Sequence, residues 1–525
     1  MAKEDKPVEI RISKYLNWFK NPYNFWLSVI LIVAFAVRFY SFWITKNQGV
    51  WWDEGEYLLR MRHIVLGTPE SGFSKARELF TPYFWGMIYY FFKSEIAIRF
   101  VQVLISTLTV FVTYFFAKET YGKKVGLISS VLMSFFWLHL FFTTRLLTYL
   151  YAPLFYTLAL ALFIKGHYSE DNKIRMKYLL WSFIIIVLGL GVYYSIGFAA
   201  LTIGIYLLLT KRFRIFKDKI LIKAALFSLP LLLVSFIPSY FIQGHIIPRL
   251  NQVAGITQSQ TGAGLAGLFT YVKLMPNLLL GAYLIILFIS LIYLFRTILT
   301  LDIVFKEDKD SPSHKDLFVL ISALVPFALY TWLSMVAGGG AGASYDAWIL
   351  PVFPALFAFM ARSINGINDY TREKIKDSFV KNIITIILLA IILFGAYNQY
   401  NYAKNAIIGK SDSYFNLRPA GEWIKENSQK GDVIISTAVP EMTYYTEREV
   451  ITYTFNWGNG TKMEFLDLVK ERKPKYLVLT VWEKSPDWAY ELPGTKDLNL
   501  TLANTYSIIY QGKKQPDVAI YTINY

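Results

Sequence analysis

The stretch "WWDEGEYLLR", residues 51–60, sets three carboxylates within four positions: Asp53, Glu54 and Glu56. A carboxylate held at a fixed point can take the proton of an attacking hydroxyl. It can also cap a helix. Asp53 reads as an N-cap, with Glu56 three residues later completing a capping-box pattern. Capping needs one acid, however. It does not explain two adjacent ones behind Trp51 and Trp52, at a membrane boundary that penalises charge. Transfer of a group from a lipid-borne phosphate would need a base at that boundary. It would also need cations a few Å away to take the leaving phosphate. The candidates for that second role are Arg60, Lys75, Arg99 and Arg145. Tyr83, His245, Arg249, Tyr345 and Asp346 are candidates for further substrate contact.

These residues must be positioned by membrane-embedded elements. The chain has 525 residues, 55% of them hydrophobic and 18% aromatic, and the apolar residues lie in long blocks. About eleven blocks have the length that crosses a bilayer core, roughly 17–22 residues each. They begin near Phe25, Ile96, Val125, Leu146, Tyr178, Gly197, Leu221, Pro276, Asp316, Ala347 and Asn382. The first reads as a retained anchor rather than a cleaved leader, because it is long and lacks a small-residue cleavage site.

The net charge of +16 is spread through short loops. Basic clusters precede the first span (Lys3, Lys6, Arg11, Lys14, Lys20) and follow the second (Lys118, Lys123, Lys124) and fourth (Lys165, Lys173, Arg175, Lys177). Others follow the sixth (Lys211 to Lys219), eighth (Arg296, Lys306, Lys309, Lys315) and tenth (Arg362, Arg372, Lys374, Lys376). All fall on one side, which the positive-inside rule makes cytoplasmic. The N-terminus is then cytoplasmic. The opposite, extracytoplasmic side receives the first loop (46–95), the loops at 143–145, 193–197, 243–275 and 337–346, and the tail after about residue 400.

The domains expected are therefore 1–400, a polytopic α-helical membrane domain with the acids in its first external loop, and 401–525, a soluble α/β domain. "RPAGEWIKENSQKGDVIIST" reads as amphipathic helix, glycine turn and strand, and "TKMEFLDLVKERKPKYLVLTVWE" repeats that order. "TYSIIYQG" and "VAIYTIN" read as two more strands divided by a turn at 512–516. Asn459 and Asn499 head N-x-T sequons, which suit an external location. Residues 53–65 form an amphipathic pattern expected to lie on the membrane. Tyr57, Leu58, Met61, Ile64 and Val65 share one face, with Arg60 and Arg62 elsewhere.

"WWDEGEYLLR" after the first span, "ELFTPYFWGMIYYFF" later in that loop, "SEIAIRFVQVL" opening the second span and "YGKKVGLISSVL" opening the third occur in order. "LPVFPALFAF" and "PAGEWIKEN" follow. Together they resemble the C-type membrane glycosyltransferases, in particular the dolichyl-phosphate-mannose–protein mannosyltransferases and the lipid A aminoarabinose transferases. The resemblance implies a polyprenyl-phosphate (dolichyl-phosphate-type) sugar as donor and single displacement with inversion at the anomeric carbon. It makes Asp53 the general base with Glu54 as its acidic neighbour. Many relatives carry Lys-Pro-Pro where this chain has Phe80-Thr81-Pro82; Lys75 or Arg77, in the same loop, offers a replacement cation. The acceptor stays open among a protein hydroxyl, a glycolipid and a lipid-linked glycan.

Bland readings stand beside these. Arginines at span ends, such as Arg99 and Arg145, also snorkel to headgroups. The stretches at 243–275 and 337–346 also suit plain connectors, although the first could close over a lipid donor and the second could approach a ligand with bare glycine backbone. A transporter or flippase of lipid-linked sugars is the alternative from another class, but internal repeats and mid-membrane charges, which such folds show, are not evident. A non-catalytic membrane scaffold is a third reading. No cysteine is present, which removes thiolate chemistry. The five histidines are isolated, so no histidine metal site is expected. No soluble cofactor is implied; a divalent ion shared by Asp53, Glu54 and Asp346 with phosphate oxygens is the variant left open.

Overall fold

A computed structural model of the chain describes residues 18–74, 77–244, 264–299, 312–336, 344–453, 460–483, 485–510 and 512–525. It divides into two compact units. One comprises Met1–Phe42, Val101–Thr143 and Thr148–Asn405; the other comprises Trp43–Phe100, Thr144–Leu147 and Ala406–Tyr525. The tail is thus grouped with most of the first loop and with the four residues around Arg145.

The first unit is helical. Among the described residues, eight helices are long and apolar enough to cross a membrane, and nine if one bent pair counts as a single span. A helix stands near each of the eleven expected positions. One of them falls short of the span test for a physical reason. Asn172–Leu190 carries Lys173, Arg175 and Lys177 in its opening turns. The apolar helix expected from Pro276 begins only at Ala282, because Thr270–Leu279 ends there in a turn in which Gly281 has a φ of 54°. Aromatic packing joins the helices, as between Phe136 and Phe353 (centroids 4.2 Å apart) and Tyr206 and Phe318 (5.0 Å).

The third span is broken. Lys123–Phe135 and Trp137–Thr143 meet at 58°. A break within a bilayer frees backbone groups that must find partners. Arg38, fully buried, donates through Nη1 to the Ser134 carbonyl (3.0 Å), through Nη2 to that of Met133 (3.4 Å) and through Nε to Ser106 Oγ (2.7 Å). Tyr283 Oη donates to the Leu132 carbonyl (3.2 Å), and Gln399 Oε1 accepts the Trp137 N–H (3.0 Å).

In the second unit we label the helices α1 (Trp52–Leu66), α2 (Phe80–Phe92), α3 (Leu417–Glu426), α4 (Val439–Thr446), α5 (Lys462–Arg472) and α6 (Asp487–Glu491). The strands are β1 (Val433–Ser436), β2 (Glu449–Ile451), β3 (Tyr476–Thr480), β4 (Asn499–Tyr510) and β5 (Lys513–Asn524). The sheet order is β2-β1-β3-β5-β4. β1 pairs in parallel with β2 and β3, while β5 runs antiparallel to β3 and β4. The expected helix–strand pairs appear as α3–β1 and α5–β3. α5 opens with a true capping box: Thr461 Oγ1 accepts the Glu464 N–H, and Glu464 Oε2 accepts the Thr461 N–H. The turn expected at 512–516 is tighter than read, since β4 ends at Tyr510 and Pro516 lies within β5. Ile435, Phe465, Val469, Leu477 and Ile523 form the core beneath the sheet.

α1 is not the surface helix that its pattern suggested. Tyr57, Leu58, Leu59 and Met61 are buried, and the helix packs against α2 and α4. Tyr83, Met87, Tyr90, Phe91 and Phe92 of α2 present the exposed apolar face instead. Contact with α4 depends on Gly55, where a Cβ would lie 2.9 Å from that of Pro440.

Close backbone approach also joins α3 to α4. At Gly421 a Cβ would lie 2.3 Å from the Tyr445 Cβ. Alanine normally stabilises a helix interior over glycine by about 1 kcal/mol. We expect Gly421→Ala to lower the apparent melting temperature of the purified protein, because the overlap forces the two helices apart. An unchanged or raised melting temperature would show that this approach is not tight.

Candidate active site

The N-cap of helix α1 lies two residues earlier than its sequence suggests. Trp51 is the N-cap, in extended conformation (φ −83°, ψ 166°), and Glu54 Oε2 accepts its backbone N–H at 2.8 Å. Glu54, rather than Glu56, thus closes the capping interaction, and Asp53 lies inside the helix instead of capping it. The shift of two residues separates the three acids into different environments.

Glu54 is fully buried. Its Oε1 lies 2.9 Å from Arg145 Nε and accepts the Leu146 N–H at 2.7 Å, and its Oε2 also accepts from Arg145 Nη2 at 3.0 Å. The Arg145 guanidinium lies 3.4 Å over the Trp51 ring. Burial pushes Arg145 down to about 10, with Glu54 opposing. The guanidinium is thus held along one edge by Glu54 and over one face by Trp51.

Glu56 is also buried and accepts from Trp52 Nε1 at 2.9 Å. Its second oxygen accepts from Arg77 Nε. Burial raises its carboxyl above the ordinary range, with Arg77 pulling the other way. Arg77 turns its Nη2 to Asp53 Oδ1, so one guanidinium bridges two acids of α1. Asp53 is the acid among the three that solvent reaches, with its side chain 37% exposed.

The other predicted cations are placed as follows. Arg99 donates to Glu95 Oε1 (2.8 Å) and to the Thr144 (3.2 Å) and Gln48 (3.3 Å) carbonyls, and it is buried. Glu95 is shared with Arg418 (3.0 Å) and Tyr444 Oη (3.1 Å). Arg60 pairs with Glu70 at 2.6 Å. Tyr83 is exposed on α2. Tyr345 and Asp346 belong to the helical unit, on the short helix Ser344–Trp348. Lys75, His245, Arg249 and Asn459 lie outside the described residues. Asn499 opens β4.

Sequence reasoning missed a second acidic pair. Glu441 of α4 is fully buried and its carboxyl faces that of Glu483. Glu483 Oε1 accepts from Tyr414 Oη at 2.8 Å, and Tyr414 stacks on Trp482. Burial raises both carboxyls; Glu483 and Glu56 raise Glu441 further, whereas Glu483 is lowered by its hydrogen bonds with Tyr414 and Glu441 and raised by Asp53. Nothing in "VPEMTYYT" signals this, because the partner lies 42 residues on. Among the described residues no group of three or more metal-ligating side chains is arranged to hold an ion.

Replacing Glu54 by glutamine leaves the Arg145 charge buried without a counter-charge. The expected loss is about 3–5 kcal/mol of stability, read by thermal or denaturant unfolding; a loss below about 1 kcal/mol would deny the pair that role. Glu441 gives a pH signature. Its folded-state proton affinity exceeds that of the unfolded chain, so its contribution is fully present below the ordinary glutamate value of about 4.3. The contribution is lost as pH rises through the raised folded value. Glu441→Gln should therefore stabilise the protein at neutral pH and flatten the fall in melting temperature between acid and neutral pH. An unchanged slope would assign the effect elsewhere.

Comparison with known proteins follows from this geometry. Residues 79–237 match the family described as dolichyl-phosphate-mannose-protein mannosyltransferase. No curated protein matches the chain. Among solved structures it is similar to ArnT from Cupriavidus metallidurans bound to undecaprenyl phosphate. The TM-score there is 0.65 at 14% identity, covering 94% of this chain and 97% of that one. It is similar also to the archaeal oligosaccharyltransferase AglB from Archaeoglobus fulgidus in complex with an inhibitory peptide and a dolichol-phosphate (0.60, 12%, covering 88% and 70%). A third is the arabinofuranosyltransferase AftD from Mycobacteria (0.57, 11%, covering 95% and 41%). The chain thus shares the fold of these three membrane transferases over most of its length, and its residues 79–237 match the protein mannosyltransferase family.

Proposed function

We propose that the protein transfers a sugar from a polyprenyl-phosphate donor to an acceptor hydroxyl at the extracytoplasmic face of the membrane. The acceptor is a protein, a glycolipid or a lipid-linked glycan. The observation that carries the reading is the division of labour on α1. Glu54 and Glu56 are buried and committed to Arg145, Trp52 and Arg77, while Asp53 next to them reaches solvent. A general base has to touch the acceptor, and of the three acids Asp53 alone has an exposed edge to do so.

The chemistry follows from that placement. Asp53 accepts the proton of the acceptor hydroxyl as its oxygen attacks the anomeric carbon from the side opposite the phosphate. The bond from the anomeric carbon to the phosphate oxygen breaks, the configuration inverts, and the electron pair leaves on the carrier phosphate. Cationic donors stabilise that leaving group. The two solved neighbours whose descriptions name undecaprenyl phosphate and dolichol-phosphate support a lipid-phosphate carrier as the ligand class. The acceptor peptide tethered to the Archaeoglobus fulgidus oligosaccharyltransferase supports a protein as one kind of acceptor.

The orientation that serves this reaction has the N-terminus in the cytoplasm and residues 401–525 outside, in keeping with the one-sided basic loops. Residues 1–400 then form the membrane transferase domain, and residues 401–525 form a soluble domain on the reaction side.

Purified protein supplied with a polyprenyl-phosphate sugar and candidate acceptors should turn the donor over. Asp53→Asn should lower turnover by roughly 10²–10⁴-fold while leaving the melting temperature close to that of the wild type. Full turnover in the variant would remove Asp53 from the chemistry. Movement of the intact lipid-linked sugar across vesicles without turnover would make the protein a transporter.

A further inference from the structure

Arg77 differs from the other arginines around α1. The side chains of Arg145, Arg99 and Arg60 are 1%, 3% and 9% exposed, and each spends its guanidinium on a carboxylate. Arg77 faces two acids that differ in depth. Its Nε edge binds Glu56, whose side chain is 6% exposed, and its Nη2 edge binds Asp53, at 37%. Trp52 Nε1 holds the other Glu56 oxygen at 2.9 Å. The inner contact is therefore fixed by burial and by a second hydrogen bond. The outer contact is an ion pair at the solvent edge, the kind that contributes little net stability.

A guanidinium edge presents two parallel N–H donors, which two phosphate oxygens match better than a single carboxylate oxygen does. We propose that the carrier phosphate competes with Asp53 for the outer edge of Arg77: donor binding takes the guanidinium, and the displaced Asp53 becomes free to face the acceptor. Arg77 is then a ligand of the donor phosphate that Asp53 holds in waiting, and Glu56 is the anchor that keeps it within reach. The order of events follows. The base is occupied until the donor is seated, so the acceptor engages second, and an acceptor or water arriving early meets a carboxylate already paired. This inference rests on the reading of Asp53 as the base and of a polyprenyl phosphate as the donor's carrier.

The competition makes a prediction that a structural salt bridge does not. Removing the Asp53 charge should strengthen phosphate binding, although Asp53 belongs to the catalytic machinery. The measurement is equilibrium binding of undecaprenyl phosphate to the purified full-length chain in lipid nanodiscs, with undecaprenol as the control lacking phosphate. Asp53→Asn should tighten binding about 3–10-fold, and Arg77→Met should weaken it by about 10-fold or more; each such factor of ten corresponds to 1.4 kcal/mol. In the Arg77→Met background Asp53→Asn should have no effect, a non-additivity that identifies the two residues as competitors. Undecaprenol binding should change in none of the variants.

Unchanged or weaker binding in Asp53→Asn, or a gain that persists without Arg77, would overturn the proposal. Should Arg77→Met fail to fold, Arg77→Lys keeps the charge but cannot span Glu56 and the phosphate together. It should weaken binding and reduce the Asp53→Asn gain; wild-type behaviour in that variant would count against the proposal equally. Turnover of Asp53→Asn tests the base separately. A dead variant with unaltered phosphate affinity leaves the base standing and removes the competition, whereas an active variant with tighter binding does the reverse.

Discussion

The buried pair of Glu54 and Arg145 is the constraint on which the acidic helix depends. Both side chains are essentially excluded from water, at 0% and 1% exposure. Two charges at that depth are costly unless each is satisfied by the other and by further donors and acceptors. Glu54 meets the demand with Arg145, the Leu146 N–H and the Trp51 N–H, and Arg145 with Glu54 and the face of Trp51. The pair therefore fixes where α1 begins, which side of it faces the 144–147 segment, and how Trp51 lies. Asp53, one residue earlier on a helix whose first turn is pinned, inherits a defined direction. Gly55 adds to the constraint, since the tight seat of Pro440 against it leaves α1 no room to rotate.

The two helices of the first loop divide what the sequence had assigned to one. An acidic helix bearing Tyr57, Leu58 and Met61 reads as something laid on a membrane. In the structure those side chains fill the space between α2 and α4, and the exposed apolar surface is carried by α2, which has no charged residue from Phe80 to Phe92. Periodicity identified an apolar stripe correctly but could not say what covers it. A stripe buried by protein and a stripe buried by lipid have the same spacing.

That ambiguity marks the boundary of what the sequence made legible. Long apolar blocks, one-sided basic loops and two helix–strand repeats are local signals, and the spans and the α3–β1 and α5–β3 units follow from them. The acids were legible as a group because adjacent carboxylates beside tryptophans are hard to explain as caps alone. Their separation into distinct roles was not legible. It depends on a two-residue shift of the helix cap, on an arginine 91 positions away and on Arg77 across the loop. The pair Glu441–Glu483 was invisible for the same reason: α4 is two turns long with no apolar period, and β2 has three residues. Arg38 shows the same limit inside the membrane. An arginine in the first span signals function by default, yet here it binds carbonyls that a break in the third span has left without partners.

Charge balance ties these observations to the reaction. Five carboxyls, Asp53, Glu54, Glu56, Glu441 and Glu483, gather around two guanidiniums, those of Arg77 and Arg145. Fully ionised, the group would carry a large negative excess and would repel a phosphate-bearing donor. Burial acts against that state. It raises the proton affinity of Glu56, Glu441 and Glu483 and so draws those three toward their neutral acids. Glu54 and Arg145 are locked together in the interior, and Asp53 and Arg77 form the outer pair. In the reaction proposed above, Asp53 is the proton acceptor and Arg77 the phosphate-binding cation.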